Sequence, residues 1–68
     1  MRLRTLAKDN NSGDVGCKSV HRDEDTGRLV FQGPGVDMAY MPNALPGEQA
    51  VELDEGILRD AVRALGWL

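Results

Sequence analysis

Cysteine is almost missing from this sequence, and with Cys17 as its only one no disulfide can close within the chain. A secreted disulfide scaffold needs several. Histidine is as scarce, with His21 alone, and the aromatics are three: Phe31, Tyr40 and Trp67. No stretch approaches the roughly 18 apolar residues that span a bilayer. The early basic residues Arg2, Arg4 and Lys8 are not followed by the apolar run of about 7 to 15 residues that a signal peptide carries. The expected compartment is therefore the cytoplasm, with no membrane contact. Also missing is a cluster of Lys and Arg of the kind that neutralises phosphates. Residues 23–60 hold nine acids against Arg28 and Arg59, and the net charge is -3. Direct nucleic-acid binding is not expected.

What is present is the composition of one small globular domain, 41% apolar and 28% charged over 68 residues. A chain of this size buries only about 60% of the surface that it exposes when unfolded. Such a core is marginal, and a partner or a second copy can supplement it. Eight glycines and three prolines place much of the chain in turns and loops.

The order of elements follows from pattern. Arg2-Leu3-Arg4-Thr5-Leu6 alternates polar with apolar and predicts a strand over about 2–7. The Asn, Asp, Ser and Gly residues of 8–16 predict a loop. Residues 17–32 predict an antiparallel hairpin: Cys17–Arg22, a turn at Asp23-Glu24-Asp25-Thr26-Gly27, then the β-prone Arg28-Leu29-Val30-Phe31-Gln32. Residues 33–48 read as irregular. Within them Val36–Met41 fits either a strand or a single helical turn, with helix disfavoured before Pro42. Residues 49–53 predict a short strand. Residues 54–65 predict a helix, with Asp54 as N-cap, Leu53 and Leu58 as a hydrophobic staple, and Gly66 as its stop. Its core face is expected to be Ile57, Leu58, Ala61, Val62 and Leu65.

Chemistry-bearing patterns are thin. Cys17 and His21, four apart on a strand, share a face, but structural zinc wants four ligands and a second pair is absent. The same spacing separates the two side chains by about 13 Å, too far for a nucleophile and its base. Asp23–Gly27 departs from a calcium loop at its fifth position, Gly27. Gly33-Pro34-Gly35 is too short for a phosphate loop, and Pro34 lacks an amide to offer an anion. No catalytic residue, cofactor site or metal site is assigned.

The surplus is apolar. Val36, Met38, Tyr40, Met41, Leu45, Trp67 and Leu68 fall outside the firm elements, and a domain this small cannot bury them all. They either close the core or form a partner surface, for which Met and aromatic residues are suited.

The run Asn10-Asn11-Ser12-Gly13-Asp14, Gly16-Cys17, a strand, and Gly27-Arg28-Leu29-Val30-Phe31-Gln32-Gly33 resembles small proteins of actinobacteria. So does Leu45-Pro46-Gly47-Glu48-Gln49-Ala50-Val51-Glu52-Leu53 followed by a helix. The layout is similar to that of the BldB-like developmental regulators and their relatives. The similarity spans most of residues 5–65, and residues 36–44 are shorter than the group's segment. The resemblance implies a regulatory partner of a helix-turn-helix transcription regulator, acting through protein contacts. It carries no functional residue.

The expectation is thus an α+β domain, a mostly antiparallel sheet of three or four strands packed by one C-terminal helix. Its expected role is that of a non-enzymatic protein–protein interaction module, a partner of a DNA-binding regulator or of a second copy. The alternatives are a small metal-binding domain using Cys17 and His21, or an accessory component of a toxin–antitoxin pair.

Overall fold

A computed structural model describes residues 1–9 and 18–68. The fold is α+β, with two antiparallel sheets and one C-terminal helix. The larger sheet has the order β1 (Leu3–Lys8), β2 (Ser19–Asp23), β3 (Leu29–Gln32). The smaller pairs β4 (Gly35–Val36) with β5 (Ala50–Val51). Between β4 and β5 runs a 3₁₀ turn, Met38–Tyr40, and the chain ends with α1 (Glu55–Ala64).

The hairpin forms where turn chemistry asks for it. The Asp23 amide donates to the Arg28 carbonyl at 2.8 Å, and Gly27 takes φ 77°, a conformation that costs glycine little. Its first strand begins at Ser19; the expectation for Cys17 lies outside the described residues.

Regular pleating would send Leu6 and Ala7 to opposite faces of β1. The register instead jumps from Thr5↔His21 to Ala7↔Val20, leaving Leu6 as the extra residue of a bulge. Both Leu6 and Ala7 then pack against the core. That core is small: Val20, Ile57 and Ala61 are buried, with Leu53 against them. The helix packs on β1 and β2.

The helix corrects the sequence reading in two places. Asp54 occupies the N-cap position, but its side chain makes no capping bond. The carboxylate turns instead to Lys18 Nζ at 3.3 Å, an exposed pair worth little by itself. Leu58, expected on the core face, is 48% exposed. With Ile57 and Ala61 centred on the sheet, Leu58 is rotated about 80° off that line. At the other end the expectation of a glycine stop is met. Gly66 has φ 79°, its amide donates to the Arg63 carbonyl, and the Trp67 amide donates to the Val62 carbonyl. This is the Schellman arrangement.

The segment 33–48, expected to be irregular, contains β4 and the 3₁₀ turn. Strand and helical turn both occur there, in succession. Asp37 caps the turn by accepting from the Ala39 amide at 2.9 Å, and Met41 returns to extended backbone before Pro42, as a residue preceding proline prefers. The strand expected over 49–53 is only Ala50–Val51. At the ribbon's base a Cβ on Gly33 would lie 2.5 Å from the Glu52 carbonyl oxygen, so any side chain at this crossing has to push the Glu52 backbone aside.

Candidate interaction surface

On β2 the side chains alternate. Val20 faces α1, so Ser19 and His21 point to the other side of the sheet. There a polar line crosses all three strands. Thr5 Oγ1 lies 3.0 Å from His21 Nδ1, His21 Nε2 lies 2.8 Å from Ser19 Oγ, and Ser19 Oγ donates to Gln32 Oε1 at 3.1 Å. Ser19 Oγ donates to Gln32 Oε1, while the direction of its bond with His21 Nε2, and of Thr5 with Nδ1, follows the imidazole tautomer. Ser19 is buried at 3% exposure. Both ring nitrogens of His21 are occupied, so a metal would have to displace a hydroxyl to reach either. Cys17 lies outside the described residues. Among the described residues there is no cavity and no group of three or more His, Cys, Asp or Glu side chains placed to hold a metal ion.

The hairpin turn carries the densest charge. Asp23 is buried, and its carboxylate accepts from the Asp25 amide at 3.0 Å and the Thr26 hydroxyl at 2.9 Å, with the Arg2 amide at 3.3 Å. The Asp25 amide, then the Thr26 hydroxyl, hold its carboxyl below the ordinary 3.8 against the opposing effect of burial. Glu24 accepts from Arg4 Nε at 2.7 Å and Arg22 Nη1 at 3.1 Å. The Arg4 bond is the main reason its carboxyl sits below the usual 4.5. Arg2 Nε reaches Asp25 at 2.7 Å. These acids are engaged in holding β1 to the turn.

The apolar residues tell a different story. Of the seven proposed for a partner surface, Tyr40 (82%), Met41, Leu45, Trp67 and Leu68 (80%) are exposed. Val36 and Met38 are half-buried. They fall in two parts of the fold: Val36, Met38, Tyr40, Met41 and Leu45 in the β4–β5 excursion, Trp67 and Leu68 beyond the helix stop. The tail does not fold back onto the core. Sequence reasoning missed Leu3, Phe31 and Leu58, each close to half exposed. Edge position exposes Phe31, and no local pattern announces which strand will be an edge.

Comparison with protein-family models, with curated proteins and with solved structures found no match. No described helix is long and apolar enough to cross a membrane.

Proposed function

We propose that this protein is a non-enzymatic protein–protein interaction module, a regulatory partner of a DNA-binding transcription regulator in the cytoplasm. One observation carries the reading. Three hydrophobic residues are buried, whereas ten large ones stay more than a third exposed among the described residues. Apolar residues left exposed in this number on so small a chain support a surface that another protein completes. The regulator as partner rests on the resemblance to BldB-like proteins. The contact surface of this reading is Tyr40, Met41 and Leu45, with Trp67 and Leu68.

Co-purification of tagged protein from its host tests the reading. Wild type should retain a DNA-binding protein, and a variant carrying Tyr40→Ser, Leu45→Ser and Trp67→Ala should lose it while remaining folded. Equal retention by both proteins, or no retained DNA-binding protein, would overturn it.

A further inference from the structure

The two outer strands of the three-stranded sheet are unequal. β1 is interrupted by the bulge at Leu6 and carries Arg4 and Lys8, with Arg2 just before it. A bulge and fixed charges discourage pairing with another strand. β3 is Leu29-Val30-Phe31-Gln32, with no charge, proline or bulge.

The hydrogen-bond parity of β3 is fixed by the turn. Asp23 and Arg28 form a bonded pair, so along the ladder His21–Val30 and Ser19–Gln32 are bonded and the intervening pairs are not. The backbone N–H and C=O groups of Leu29 and Phe31 therefore point away from β2, to a side on which no described strand pairs with them. Their side chains lie on the same face as Val20, beyond the part that α1 covers, and Phe31 is 47% exposed.

We infer that the β3 edge pairs with β3 of a second copy, antiparallel about a twofold axis at Val30. This register alone uses all four outward groups. Leu29 bonds with the partner's Phe31, and Phe31 with the partner's Leu29. It sets Val30 against the partner's Val30 and Arg28 against the partner's Gln32, so no like charges meet. Pairing β1 with itself would oppose cation to cation. Two four-residue strands bury far less than the roughly 1,200 Å² of a stable interface. The dimer is therefore weak and concentration-dependent. It stands apart from the partner surface proposed above.

Residue-resolved amide exchange on the intact protein tests this at low micromolar and at about millimolar concentration, where so small an interface becomes populated. Leu29 and Phe31 amides should gain protection at the higher concentration, while Val30 and Gln32, already bonded to β2, do not change. Val30→Lys should weaken self-association ~10-fold or more by opposing two lysines, and mixing it with Val30→Glu should restore a heterodimer. Should the variants unfold, the wild-type pattern decides alone. A monomer throughout, or protection gained at β1 or at residues 36–45 with β3 unchanged, would overturn the proposal.

Discussion

Arg4 and Arg22 stand directly opposite one another across β1 and β2, and Glu24 reaches both, at 2.7 and 3.1 Å. Like charges paired across strands destabilise a sheet, so the position tolerates two arginines only with a carboxylate between them. Glu24→Gln should lower Tm at neutral pH. Because the folded-state carboxyl lies below 4.5, its contribution is present above that value and is lost as pH falls through the folded-state pKa. The Tm gap between variant and wild type should close over that acid range. At ~1 M salt, where charges are screened beyond about 3 Å, it should also narrow. Thermal melts across pH and salt check both.

Asp23 and Asp25 are two carboxylates of one turn with different tasks. Asp23 is buried with three donors, whereas Asp25 is exposed and pairs with Arg2 and the N-terminal amine. Asp23→Ala should cost clearly more Tm than Asp25→Ala, since it strands the Asp25 amide and the Thr26 hydroxyl. Equal effects would remove the distinction.

Val20 is fully buried and Leu58 is 48% exposed. Val20→Ala should cost about 2–3 kcal/mol and Leu58→Ala under about 1 kcal/mol in denaturant unfolding. For a domain whose total stability is of the order of 5 kcal/mol, the first change should bring the denaturant midpoint down by roughly half while leaving only a few per cent unfolded without denaturant.

Three glycines separate three physical roles. At Gly56, inside α1, an added Cβ meets nothing within 4 Å, so Gly56→Ala should stabilise by about 0.5–1 kcal/mol. Gly66→Ala should destabilise by about 1 kcal/mol, because φ 79° disfavours any Cβ. Gly33→Ala should cost about 1–3 kcal/mol, as the backbone of Glu52 must move aside. Urea midpoints for the three variants should follow that order.

Local pattern made the helix and the hairpin legible. Apolar spacing from Ile57 to Leu65 and the Gly66 stop belong to one stretch of chain, as does the turn ending at Gly27. What stayed hidden depends on distant residues. The pairing of Gly35 with Val51 joins segments sixteen apart with no repeat to announce it. The bulge at Leu6 answers the needs of Val20, Ile57 and Ala61, and Asp54 gives up its cap for Lys18, thirty-six residues away. Leu58 fitted a helical stripe, but only Ile57 and Ala61 at the centre of that stripe are buried. The apolar surplus could be read from size alone. Which members of it would be half-buried, Val36 and Met38, could not.

Trp67 is the sole tryptophan and is 65% exposed, so its emission reports directly on the proposed contact surface. Titrating the co-purified regulator into the purified protein should shift that emission to the blue and saturate at one stoichiometry, as the indole leaves water. Emission that stays at the position of a solvated indole while binding is complete would contradict the account.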